Sequence, residues 1–159
     1  MTETVSRQGT AGACPVCQQP WGDSVACQFC GQIGGRPAGE RLATIGRRFG
    51  GYLLDFVLIL VTLLIGWLVW SLIIWRNGQT PAKQLLGMYC VSLGSRERAG
   101  WGTMFMREFV AKVVIMNLLG LVTLGIAPLI LNFRLIWNKN RQEVWDSVAE
   151  TVVARAVPG

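Results

Sequence analysis

The sequence predicts a mainly α membrane protein. It has two hydrophobic helical segments, or short helical hairpins, with interfacial helix–strand units and a small cysteine-rich appendage. Three observations carry this expectation. Phe56 to Trp75 is free of charge over 20 residues and Val113 to Phe133 over 21, each enough to cross about 30 Å of hydrocarbon. Hydrophobic residues make up 52% of the 159 and charged residues only 15%, against about 25% charged in an average soluble domain. Four of the five cysteines form two C-x-x-C pairs near the start of the chain.

The first pair is Cys14-Pro-Val-Cys17 and the second Cys27-Gln-Phe-Cys30, followed by Gly31. Two such knuckles supply four thiolates, the donor set of a tetrahedral zinc ion. Gly31 stands where a turn around metal needs φ > 0. The segment resembles the short zinc ribbon appended to many bacterial proteins. Its closed Cys₄ set leaves no open coordination position, so the zinc is expected to be structural. So short a segment has almost no core and depends on its metal to fold. Disulfides would need an oxidising compartment, and a thioredoxin-like dithiol would need a βαβ context that is missing here. Cys90 reads as a small packed hydrophobe.

Residues 1–32 form the ribbon in this reading, 33–40 a flexible Gly-rich linker, and 41–156 the membrane module. The N-terminus has no apolar core and is not a signal peptide, so the hydrophobic segments must direct insertion. Basic residues flank both segments: Arg36, Arg41, Arg47 and Arg48 before the first, Arg76 to Lys112 between them, Arg134, Lys139, Arg141 and Arg155 after the second. Two single spans would export the most basic flank, against the positive-inside rule. An internal repeat offers an alternative. Arg47-Arg-Phe49 matches Arg107-Glu-Phe109, Leu60-Val-Thr-Leu-Leu-Ile65 matches Leu121-Val-Thr-Leu-Gly-Ile126, and Trp75 and Trp137 close the two copies. Each half is then a short hairpin, with bends supplied by Gly66 in one and by Gly120, Gly125 and Pro128 in the other. Either topology puts the ribbon in the cytoplasm.

Thr80 is a good N-cap, Pro81 suits the first helical turn and Gly87 stops the helix, with a strand over Met88–Leu93. After the second segment, 141–150 puts Val144, Trp145, Val148 and Ala149 on one face of an interfacial helix, with a strand over Thr151–Ala154.

Three motifs in order resemble the RDD family of small bacterial membrane proteins, named for one arginine and two aspartates. Arg48 stands seven residues before Asp55. Gly78, Thr80 and Lys83 match G-x-T-x-G-K, with Ala82 replacing the second glycine. Arg141, Asp146 and the Thr151-Val152-Val153 end match the third motif, with Trp145 where many members have histidine and Glu150 where many have glycine. The resemblance spans about residues 41–154. It implies a multi-pass protein of the cell membrane and does not imply an enzyme.

Net charge is +6 and there is no histidine. That excludes histidine triads and histidine–zinc sites. No basic stripe with interleaved aromatics suggests nucleic acid. Two functions remain. A membrane-anchored adaptor would use the ribbon to hold a cytoplasmic partner, and small residues such as Gly50 and Gly51 to dock a membrane partner; a homo-oligomer is a further expectation. Alternatively, Asp55 could bind a cation or proton for antiport-like transport, tuned by Arg48 on the same helix face. The plain structural reading has Asp55 lock the helices through Arg48 or Asn117, and Lys83 meet lipid phosphate or Asp146.

Overall fold

Both apolar segments turn back on themselves. The computed structural model describes residues 12–127, 130, 131, 136, 138 and 141–156. The expectations placed on residues 1–11, Pro128, Phe133, Arg134, Trp137 and Lys139 lie outside these residues. Helix α1 (Ile45–Val61) starts at Thr44, whose hydroxyl accepts the Arg47 N–H, and ends at Thr62. Leu63 (φ 52°) and Leu64 (φ 63°) reverse the chain, and α2 (Ile65–Ile74) returns. Gly66 does not make the bend. It closes it, because a Cβ there would lie 2.8 Å from Thr62 Cβ.

The second segment repeats the device. α4 (Trp101–Phe105) runs into a π-helical stretch (Met106–Ile115) and then α5 (Met116–Val122), capped by Thr123. Leu124 (φ 52°) and Gly125 (φ 85°) turn the chain, and Ile126, Ala127, Ile130, Leu131 and Ile136 are helical. The repeated Leu-Val-Thr-Leu is therefore the tip of each hairpin. In both copies the threonine hydroxyl donates to the carbonyl one turn back, Thr62 to Leu58 at 2.7 Å and Thr123 to Leu119 at 2.6 Å.

This corrects the plain two-span reading. At 1.5 Å per residue, α1 is about 25 Å long and α2 about 15 Å. No helix among the described residues is long and apolar enough to cross a membrane, so the multi-pass expectation has no helix to carry it there.

Below each hairpin sits a short helix followed by a strand: α3 (Pro81–Leu85) with β2 (Met88–Ser92), and α6 (Val144–Val148) with β3 (Thr151–Ala156). α3 keeps the expected Thr80 cap and Pro81 start. α6 is shorter than the helix expected over 141–150. It begins only after Glu143, which forms a reciprocal capping box with Asp146. A strand not foreseen from the sequence, β1 (Glu40–Leu42), completes an antiparallel sheet of order β1-β3-β2. Cys90 faces Val153 across the β2–β3 ladder. These residues are equivalent in the repeat, so the two halves meet about a pseudo-two-fold between β2 and β3.

One sheet face packs Leu42, Tyr89, Val91, Val152 and Ala154 against the ribbon's Ala26 and Ile33. The other packs Ala43, Met88, Cys90 and Val153 against Trp75, Ala99 and Met104 at the hairpin bases. Cys90 is a packed hydrophobe, as expected. The Gly-rich stretch after the ribbon is not a loose tether. Arg36 pairs with Glu40 at 2.5 Å and donates to the Arg96 carbonyl at 2.8 Å, while Arg96 donates to the Gly34 carbonyl at 2.9 Å. The Leu42 N–H bonds the Gly31 carbonyl at 2.7 Å. Ribbon and module share one core.

Each short helix ends in a left-handed residue: Gly87 (φ 63°) before β2, Glu150 (φ 48°) before β3. A non-glycine side chain there costs of order 1 kcal/mol, more if β-branched. Glu150→Gly should therefore leave the unfolding midpoint unchanged or raised. Gly87→Val should lower stability by about 1–3 kcal/mol. Denaturant titration of both variants checks the pair, and a clear loss for Glu150→Gly would refute the strain reading.

Candidate functional site

The two knuckles are copies of one turn. The Gln18 N–H returns to the Cys14 carbonyl at 2.8 Å and the Gly31 N–H to the Cys27 carbonyl at 2.9 Å. Both residues are left-handed, Gln18 at φ 58° and Gly31 at φ 76°. The turns face each other, with Cys14 Sγ 3.6 Å from Cys30 Sγ and Cys17 Sγ 3.5 Å from Cys27 Sγ. All four sulfurs lie within 4.8 Å of one another, and all four cysteines are free thiols. Tetrahedral bonds of about 2.3 Å would hold sulfurs roughly 3.8 Å apart, so the cluster fits a metal ion with little movement. Burial pushes the Cys30 thiol up to about 12. Burial also opposes ionisation of Cys27, but N–H groups of Cys30 and Phe29 outweigh it and bring that thiol to about 7. Trp21 closes one side and donates its indole N–H to the Ser24 carbonyl at 3.1 Å.

The second feature is a chain of buried charges at the hairpin bases. Arg48 on α1 donates to the Asp146 carboxylate and to the Arg141 carbonyl. Arg107, on the π stretch, holds the other Asp146 oxygen through Nε at 2.6 Å. It also reaches Glu108 at 2.6 Å. Glu108 is met by Lys83 from α3 at 3.2 Å and by Lys112 at 3.0 Å. Glu143 lies 3.6 Å from Arg48 and accepts the Tyr52 hydroxyl. Lys112 also sits over the rings of Tyr52, at 4.8 Å, and Trp145, at 5.5 Å. The wide π helix lets two adjacent side chains, Arg107 and Glu108, both face inward. Burial raises the Asp146 carboxyl, but the Arg107 and Arg48 guanidiniums outweigh it and hold it below the ordinary aspartate range.

Asp55 takes no part in this chain. Its carboxylate accepts the Trp67 indole N–H at 2.8 Å, the Thr80 hydroxyl at 2.9 Å and the Ala82 N–H at 3.1 Å. The expected Arg48–Asp55 pair is not formed, because two turns of helix carry Arg48 to α6 and Asp55 to α3. Asn117 bonds the Val113 carbonyl instead. The Arg48–Asp55 unit invoked for transport is therefore not assembled. Lys83 meets Glu108, where lipid phosphate or Asp146 was expected.

The remaining motif residues hold positions. Gly78 (φ 70°) accepts the Cys90 N–H at 2.7 Å. A Cβ at Gly78 would lie 2.8 Å from the Cys90 carbonyl oxygen, so only glycine fits. Ala82 is fully buried in α3 and gives Asp55 its N–H, so no glycine turn is required there. Arg141 contributes its carbonyl, presented from a left-handed backbone (φ 49°). Buried Thr151 accepts the Gln142 amide on its carbonyl at 2.9 Å. Sequence reasoning missed Arg107, Glu108, Tyr52, Lys112 and Glu143 as partners. For Arg107 and Glu108 the signal was their adjacent opposite charges in Arg107-Glu-Phe109, at the repeat position of Arg47-Arg-Phe49.

A family model described as the RDD family matches residues 42–150. No curated protein and no solved structure matches the chain.

Asp146→Asn leaves two buried guanidiniums short of a carboxylate and should cost about 3–5 kcal/mol. Arg48→Gln in the same chain should recover part of that loss, whereas Arg48→Gln with Asp55→Asn should be simply additive, since those residues do not touch. Chemical denaturation of the single and double variants measures the couplings. Acid gives a second check. A carboxylate lowered by folding stabilises above its unfolded-state value and loses that contribution as pH falls through its folded value. Wild type should lose its advantage over Asp146→Asn below about pH 4. An advantage that persists undiminished at pH 2–3 would refute the ionised bridge.

Proposed function

We propose, since the chain belongs to the RDD family, that it is a membrane-attached accessory protein. Its Cys₄ ribbon is folded around one structural zinc and serves as a rigid docking head for a protein partner on the cytoplasmic side. The observation that carries this reading is the way the ribbon is mounted. It shares a core with the sheet, yet the third residue of each knuckle, Val16 and Phe29, points outward. Phe29 is 67% exposed, and an aromatic side chain held on a fixed support is a typical interface anchor.

Zinc is the assignment favoured by the donors. Four thiolates with no histidine or carboxylate among them suit a tetrahedral soft site. A closed set leaves no position for substrate, so the metal's work is to fold the ribbon. Membrane attachment is supported by the hairpins, whose outward side chains are almost all aliphatic or aromatic, and by the family. The lipid bilayer is then one partner and a protein the other. A second copy of the chain is the homo-oligomeric form of the same reading.

Elemental analysis of purified protein should find one zinc per chain, and Cys27→Ser should lose it. Because Ala26 and Ile33 sit in the shared core, that substitution should also lower the melting temperature of the module. Affinity capture in mild detergent should recover a partner on wild type and lose it on Phe29→Ser, with zinc retained. Full partner recovery on Phe29→Ser would sink the docking-head proposal, and zinc-free wild type would sink the metal assignment. A crosslinked product of twice the chain mass would identify the partner as a second copy.

A further inference from the structure

The hairpin tips use side chains that a turn in water does not. Leu63, Leu64 and Leu124 hold positive-φ backbone, at 52°, 63° and 52°. Glycine, asparagine and aspartate adopt that conformation with less strain and are the residues of solvent-facing turns. Leucine gains nothing there from water. Yet Leu63 is 80% exposed and Leu124 is 92% exposed, and Val61, Ile65, Leu121 and Val122 beside them also point outward.

Several backbone N–H groups around the tips are bonded from within. In the first, the N–H groups of Thr62, Leu64, Ile65 and Gly66 bond Leu58, Ile59, Leu63 and Thr62 carbonyls at 2.9, 2.8, 2.6 and 3.1 Å. In the second, Thr123, Gly125 and Ile126 bond Leu119, Gly120 and Thr123 carbonyls at 3.0, 2.8 and 3.1 Å. The Ala127 N–H bonds Thr123 Oγ1 at 3.1 Å. A medium without water favours such internal bonds, because each unmet polar group there is costly. Asp55, the one charge within the first hairpin above Arg48, is bonded to three donors and buried.

Length and direction add to this. The return arm α2 is ten residues, about 15 Å, half of the roughly 30 Å hydrocarbon thickness. The two hairpins rise the same way. Arg48 meets the second hairpin's base through Asp146 and Arg107, and one turn on Tyr52 lies under Lys112 and packs near Ile115.

The geometry points to one leaflet as the partner of these tips. Both hairpins enter the acyl chains from the side that carries the sheet and ribbon, and turn back without reaching the far surface. This rests on the membrane attachment proposed above and specifies its form.

The test uses full-length, zinc-loaded protein in vesicles of phosphatidylethanolamine and phosphatidylglycerol. A nitroxide amino acid replaces Leu63 or Leu124, and power-saturation spectra are recorded with oxygen and with an impermeant nickel chelate on either side. Oxygen access exceeding chelate access at both tips, from both sides, is the expected result. Chelate access from the far side, in protein that floats with the vesicles, overturns the one-leaflet reading and leaves attachment standing. Protein that fails to float overturns attachment itself. A second arm replaces both Leu63→Asn and Leu124→Asn. Asparagine relieves the backbone strain, so tips in water would gain stability and partitioning would be unchanged, which would overturn the inference. Tips in hydrocarbon predict at least a tenfold loss of vesicle partitioning with zinc content unchanged.

Discussion

The Asp146 carboxylate lies between two guanidiniums, one from each hairpin, in a space that admits no water-facing side chain. The rest of the module is arranged around that contact. α1 is oriented by Arg48, the π stretch by Arg107, and α6 by the capping box that Asp146 itself completes. A buried ion pair is weak evidence for net stability, because desolvation offsets the attraction. Its value here is in fixing geometry. Removing any member strands a charge, so hairpins that slid past each other would lose their partners together.

The sheet and charges are two expressions of one pseudo-symmetry. Each half contributes an apolar hairpin, a one-turn helix, a left-handed residue and a strand. Each hairpin base reaches across to the other half's short helix: Arg48 to Asp146 on α6, Glu108 to Lys83 on α3. The signs are reversed between the two crossings. Arg107, bonded to both Glu108 and Asp146, joins them into a continuous alternation of charge. That reversal makes the two halves complementary, whereas identical halves would bring like charges together.

Much of this could be read in the chain before the fold was known, and the failures have specific causes. The knuckles were legible because metal geometry fixes their spacing. The hairpins were legible from the repeat, and Gly125 does lie in its bend, but the first bend was placed on Gly66 since leucine is a poor residue for positive φ. The Thr80-Pro81 start was written in local chemistry. What could not be read was partner choice. Helical periodicity places Arg48 and Asp55 on one face but is silent on which neighbour each meets two turns apart. β1 is three residues of mixed polarity, and it is a strand only because β3 offers it an edge. The Gly-rich stretch of 33–40 looked flexible because composition does not report the Arg36–Arg96 exchange across the ribbon.

Fifteen positions separate Arg47 from Thr62, and sixteen separate Arg107 from Thr123. Between the matching ends of the second interval lies the π stretch, in which each turn takes up more chain than in an α helix. The second hairpin is thus one residue longer over this interval, and the extra residue is accommodated as helical girth instead of a loop. Such an insertion would have rotated everything beyond it by about 100° in a rigid α helix. Widening keeps Arg107 and Glu108 on the ion chain and still delivers Thr123 to its turn. The two halves can thus differ in length by one residue, with helical girth taking up a change that neither the buried charges nor the tip could accept.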